Sequence, residues 1–199
     1  CSPPPRDKQS QEAIWSGLID GSFTVFSSDH APYRYDSSGK LSAGAEPTFD
    51  KIANGVPGIE IRMPLLFSAG VTQGRMDIHR FVEVTATNAA KTYGLYPKKG
   101  TIAVGSDADL GLWDPEKQVE IKADDLHDNM DYSPYEGMIA TGWPITVISR
   151  GRIVVEENEL KVERGSGQYL KRERPEAAKP LEKLVKEMNP ETNFNAKFI

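Results

Sequence analysis

A helix-forming stretch, a glycine, a short apolar run and then an aspartate follow one another near the start of this chain. That order restricts the fold more than anything else in the sequence. Asp7 suits the N-cap of a helix running through about Leu18, with Ala13, Ile14, Trp15 and Leu18 on its apolar face and Gly21 as its stop. Phe23 to Ser28 is β-branched and aromatic and predicts a short buried strand, ending at Asp29-His30-Ala31-Pro32. Helix, turn, strand and polar residue make up the unit of an α/β repeat. In such folds the chemistry sits at the C-terminal ends of the strands. Asp29 stands at that position.

Beyond it, Tyr33 to Glu46 is rich in Ser, Gly and Asp and reads as a long loop over the same face. Thr48 suits the cap of a short turn, and Asn54-Gly55-Val56-Pro57-Gly58 is a dense turn cluster. Helices are predicted from about Ile59 to Gln73 and from about Asp77 to Lys91, with Gly94 punctuating the second. From Gly100 the pattern changes to strands. Asp109 to Pro115 alternates and stops at a turn, and Ile145 to Val155 predicts a hairpin turning at Arg150-Gly151. Between them, Asp124 to Gly142 is an ordered excursion around Tyr132-Ser133-Pro134-Tyr135-Glu136-Gly137. The expected division is an α/β part over 1–99, a small β module over 100–164, and a charged tail over 165–199 with a short helix near Leu181 to Met188. No internal repeat is present.

Composition narrows the function classes. The 199 residues are 38% hydrophobic and 27% charged, as in ordinary globular proteins, and the formal charge is -5. No basic stripe interleaved with aromatics gives a footprint for nucleic acid. No apolar run approaches the roughly 20 residues needed to span a bilayer. Cys1 is the single cysteine, so neither an internal disulfide nor a cysteine-based zinc site can form, which suits a reducing compartment such as the cytoplasm. The opening Cys1-Ser2-Pro3-Pro4-Pro5-Arg6 has neither the charged nor the apolar region of a signal peptide, and no initiator Met. The chain is therefore expected to begin inside a longer protein.

Asp29 is the first candidate for chemistry. A carboxylate at a strand end can bind a divalent cation and take a proton from water bound to it. An aspartate capping the next turn fits the pattern equally well. His30, its neighbour in an extended segment, points to the other side and is not expected to share its cation. A role beside the substrate and plain packing both suit it. His79 and His127 have no acidic or histidine partner at metal-ligand spacing, and Glu60 and Glu83 look like solvated helix faces. The Asn54-Gly55 turn offers backbone groups that could bond the paired N–H and C=O edge of a cyclic ligand, or it is only a loop. Ser2, before two prolines, is equally open.

Ser27-Ser28-Asp29-His30-Ala31-Pro32 resembles the amidohydrolase superfamily, whose cyclic-amidase members end a barrel strand with S-D-H-x-P. Ser2-Pro3-Pro4 and Asn54-Gly55-Val56-Pro57-Gly58-Ile59-Glu60 resemble segments of its dihydropyrimidinase and hydantoinase branch. Further stretches agree in order: Thr85 to Lys91, Gly94 to Ile102, Gly105-Ser106-Asp107-Ala108-Asp109-Leu110, Trp113-Asp114-Pro115 and Tyr132 to Gly137. The resemblance covers about Cys1 to Gln168. It implies an α/β fold: the last strands and helices of a (β/α)₈ TIM-like barrel over 1–99, part of a small β-sandwich over 100–164, and over 165–199 a C-terminal tail that serves as an oligomerisation arm.

The same resemblance implies a binuclear divalent metal centre, commonly zinc, with Asp29 as both metal ligand and general base. Ser2 and Asn54 would hold the substrate, chiefly through backbone groups. The reaction implied is hydrolysis of dihydropyrimidines or 5-substituted hydantoins to N-carbamoyl amino acids, by a homodimer or homotetramer. Where this sequence departs from the family, it lacks the H-x-H pair, the bridging carboxylated lysine, two further histidines and the oxyanion tyrosine. Alone, it is expected to hold no binuclear centre and to hydrolyse nothing, and its barrel edge is expected to need more polypeptide. Two other readings are a non-catalytic scaffold relative and an allantoinase or dihydroorotase type. The retained aspartate argues against the first, and the non-basic Asn54 loop argues against a dihydroorotase.

Overall fold

The computed structural model of the chain describes residues 3–175 and 178. Ser2 and the helix expected near Leu181 to Met188 lie outside the described residues. Helix α1 (Lys8–Asp20) starts where Asp7 accepts a hydrogen bond from the Ser10 N–H at 2.8 Å, and it ends at Gly21 in the left-handed region. The cap satisfies one of the donors that the first turn leaves free.

Phe23 to Ser28, expected as a strand, is extended but belongs to no sheet. A strand needs a neighbour to complete its ladder, and among the described residues none runs beside it. Its backbone is held from one side instead. The Phe26 N–H donates to the Val84 carbonyl (2.9 Å). Arg62 Nη1 bonds the Phe26 carbonyl (2.8 Å) and Asn88 Nδ2 the Thr24 carbonyl (2.9 Å). Arg80 reaches furthest. Its guanidinium bonds the Leu18 carbonyl at the end of α1 (2.6 Å), the Phe23 carbonyl (2.8 Å) and Glu83 (2.5 Å).

Two helical rods supply these side chains, close to the limits expected from sequence. Helix α2 (Arg62–Leu66) widens into a π-helical turn over Phe67–Thr72. Helix α3 (Ile78–Val82), capped by Asp77, passes through a second π-helical turn, Glu83–Thr87, into α4 (Asn88–Thr92).

Strands β1 (Leu110–Glu120), β2 (Ile139–Ser149), β3 (Arg152–Glu156) and β4 (Glu159–Leu160) form an antiparallel sheet in sequence order. The β2–β3 turn falls at Arg150-Gly151, both with positive φ (51° and 77°), as a tight hairpin following the right-handed strand twist requires. β1 outruns its expected end at Pro115. Asp114 Oδ1 accepts from the N–H groups of Glu116 and Lys117, a local turn within the strand, and pairing with β2 resumes at Gln118 after a register shift.

The sheet and the rods share a core. Phe67 stacks on Trp113 of β1 with ring centroids 4.8 Å apart, and Phe81 meets both rings edge-on. Leu18, Leu66, Met76 and Val84 complete this cluster, while Ile61, Ile121, Ala140 and Trp143 form a second. Gly142 makes the first one possible. Its φ is +93°, and a Cβ there would sit 2.2 Å from Phe67 Cδ1. What the described residues contain is thus an α/β assembly with one four-stranded sheet.

Candidate functional site

The extended segment delivers Asp29 to the rim, where its φ is +48° and its side chain is exposed. Aspartate is one of the few L-residues that tolerate this region. The next residues then fasten this corner to the Asn54 turn. The Ala31 N–H donates to the Val56 carbonyl (3.2 Å). His30 Nδ1 accepts from the N–H groups of Gly58 (3.1 Å) and Ile59 (3.3 Å). Nδ1 is therefore unprotonated in this arrangement, and the ring proton of the neutral imidazole sits on Nε2. Gly55, at φ +133°, lies so near Ala31 that a Cβ would come within 2.4 Å of the Ala31 carbonyl oxygen. Asp29 and Asn54, named from sequence, thus stand on one rim; Ser2 lies outside the described residues.

Asn54 is exposed, and among the described residues neither its N–H nor its C=O takes a backbone partner. An adjacent free donor and acceptor suit the amide edge of a small ring. The loop over Tyr33–Glu46 folds into successive turns around Asp36. The Ser38 hydroxyl and then Arg34 hold that carboxyl down to about 2, so it stays ionised at any ordinary pH. The loop brings Lys40 beneath the Asn54 turn, where Nζ bonds the carbonyls of Ala53 (2.8 Å) and Gly55 (2.6 Å).

The excursion between β1 and β2 closes the other flank. The Asp131 carboxylate accepts from the Tyr35 N–H (2.8 Å). Glu60 bonds both the His127 N–H (2.7 Å) and its Nδ1 (2.8 Å). Glu60, expected as a solvated face, is instead a tether, because the excursion folds back over the start of α2. Tyr132 has its hydroxyl buried without a partner among the described residues, and burial, then Asp131 and Asp128, push it up.

Below the rim, Trp15, Leu18, Phe26, Leu66 and Met138 line a cavity of about 550 Å³ that Arg62 enters. Burial pushes the Arg62 guanidinium down.

Among the described residues no three His, Cys, Asp or Glu side chains converge as a cation site. The described residues by themselves therefore do not fit a complete binuclear centre. Neither is any described helix long and apolar enough to cross a membrane.

Removing the His30 imidazole should loosen the corner. His30→Ala leaves two backbone N–H groups without their acceptor and should lower unfolding free energy by roughly 1–2 kcal/mol in urea titration. His30→Asn, whose Oδ1 can take the place of Nδ1, should recover most of it. Equal stability of all three proteins would contradict the fastening role.

The profile of the family described as "Amidohydrolase family" matches residues 7–154. The chain belongs to the amidohydrolase family. Within that family it is 44% identical over 171 residues to a D-hydantoinase of Geobacillus stearothermophilus, covering 86% of this chain and 36% of that protein. A D-hydantoinase crystal structure superposes with a TM-score of 0.82 at 44% identity, over 86% of this chain and 37% of the other. The dihydropyrimidinase from Brevibacillus agri superposes with a TM-score of 0.81 at 46% identity, over 86% and 36%. This amidohydrolase chain therefore spans about a third of the length of the relatives it matches.

Sequence reasoning passed over Lys40 and the Glu60–His127 contact. Nothing local marks a lysine in a polar loop as buried. The path that buries it is set by residues about 15 positions away.

Proposed function

We propose that a protein containing this chain hydrolyses the cyclic amide bond of dihydropyrimidines or 5-substituted hydantoins, giving N-carbamoyl amino acids. The observation that carries the reading is the joining of two corners. Asp29 is held beside the Asn54 turn by the Ala31–Val56 and His30–Gly58 hydrogen bonds. Asn54 presents there an amide donor and acceptor without a backbone partner among the described residues. D-hydantoinase and dihydropyrimidinase relatives support the same substrate class.

In this reading Asp29 is one ligand of a binuclear divalent metal centre, zinc by preference. Polypeptide beyond the described residues supplies the other ligands. Such a centre, when bound, polarises the amide carbonyl and supplies a hydroxide at neutral pH. The part the described residues play is narrower. Asp29 holds a negative charge and a proton-accepting site at the rim, and the Asn54 backbone, together with Ser2, aligns the ring edge.

The proposed division is the closing portion of a TIM-like barrel over 1–99, part of a β-sandwich over 100–164 and an oligomerisation tail over 165–199. The assembly is proposed as a cytoplasmic homodimer or homotetramer.

Metal analysis of the full-length protein, with ring-opening rates on dihydrouracil, a 5-substituted hydantoin, allantoin and dihydroorotate, tests the reading. Zinc at binuclear stoichiometry with turnover of the first two substrates is the expected result. A metal-free, inactive full-length protein would leave a non-catalytic scaffold in its place.

A further inference from the structure

Lys40 is the one buried cation among the described residues, with 8% of its surface exposed. Burying an ammonium costs free energy unless its protons find partners. Two of them do, at the carbonyl oxygens of Ala53 (2.8 Å) and Gly55 (2.6 Å), and the group also lies 5.9 Å from the centre of the Tyr33 ring. Both oxygens belong to the backbone, and they flank Asn54 on either side. Among the described residues no charge pair accounts for the placement.

The peptide plane gives the bond a consequence beyond the loop's stability. The Ala53 carbonyl and the Asn54 N–H belong to one trans peptide, so fixing the first toward Lys40 aims the second the opposite way. A charge-assisted hydrogen bond to the carbonyl also polarises that peptide and makes its N–H a better donor. The geometry points to Lys40 as a positioning residue for substrate: its ammonium orients and strengthens the Asn54 amide that meets the carbonyl edge of a cyclic amide. This rests on the proposed role of Asn54. Lys40 itself touches neither the ring nor the reacting atoms.

The test uses the full-length protein and dihydrouracil, with hydrogen exchange at Asn54 and steady-state kinetics measured side by side. In the wild type, dihydrouracil should slow exchange of the Asn54 amide. Lys40→Met should speed exchange across residues 54–58 in the free protein. It should also raise KM by about tenfold, as expected for weakening one hydrogen bond to the ligand, with kcat changed far less. Lys40→Arg, which keeps a donating cation, should recover part of the lost KM. If Lys40→Met does not fold, Lys40→Gln carries the same comparison, since it keeps donors but loses the charge.

Protection of Asn54 in the wild type, with an unchanged KM in the Lys40 variants, overturns the role of Lys40 and leaves that of Asn54 intact. No protection in the wild type overturns the Asn54 reading and, with it, this one. A fall in kcat matching the rise in KM, with no recovery by arginine, identifies a merely structural lysine and also overturns the proposal.

Discussion

Asp29→Asn in the full-length protein is expected to lower kcat by roughly a thousandfold, the scale of a lost acid–base group. The amide matches the carboxylate in size, but it carries no charge and takes no proton near neutral pH. In the proposed role of Asp29 it therefore removes cation binding and proton acceptance together. Asparagine is the right probe for a backbone reason as well. At φ +48° most side chains would strain the chain, whereas asparagine is well suited to this region. The carboxylate is exposed, so the melting transition should stay close to that of the wild type. Metal content should drop alongside kcat. Wild-type turnover by this variant would remove Asp29 from the chemistry.

Gly142→Ala should produce the largest loss of stability. The added methyl group meets the Phe67 ring in a fully packed cluster, and the backbone there is left-handed. Overpacking and backbone strain together should cost about 3 kcal/mol, read from urea unfolding. Gly137→Ala separates the two contributions. Gly137 is also at positive φ (76°), but a Cβ there meets nothing within 4 Å. It should show the strain alone, about 1 kcal/mol. Near-ultraviolet circular dichroism should report disturbance of the Trp113 stack in the first variant only. Equal losses in both would mean the ring contact is not the cause.

Local signals carried much of this architecture. The Asp7 cap, Gly21, the limits of the two helical rods and the Arg150-Gly151 turn all depend on residues within a few positions of one another, and the structure follows them closely. The two strand misreadings have separate causes. Phe23 to Ser28 has the composition of a strand, but no strand runs beside it among the described residues. Pro115 looks like a terminus, yet the Asp114 side chain turns the chain locally and lets β1 continue to Glu120.

At the site, Asp29 and the Asn54 turn were visible as motifs because each is contiguous. The contacts that join them were not, since His30 bonds residues 28 and 29 positions away. Lys40, Glu60 and His127 gain their partners only when loops distant in sequence fold over one another.

The Arg80 fork adds a second tie between the end of α1 and the run toward Asp29, beside the Phe23 N–H to Gly17 carbonyl bond (3.0 Å). Its flat guanidinium gauges the gap between the end of α1 and the start of the run toward Asp29, while the adjacent Phe81 is wedged against Phe67 and Trp113. Helix α3 therefore works as a strut, with one foot in the sheet's aromatic stack and the other on the track that carries the carboxylate. The beginning of the run toward Asp29 is thus tied, through one helix, to the face on which β1 seats its tryptophan.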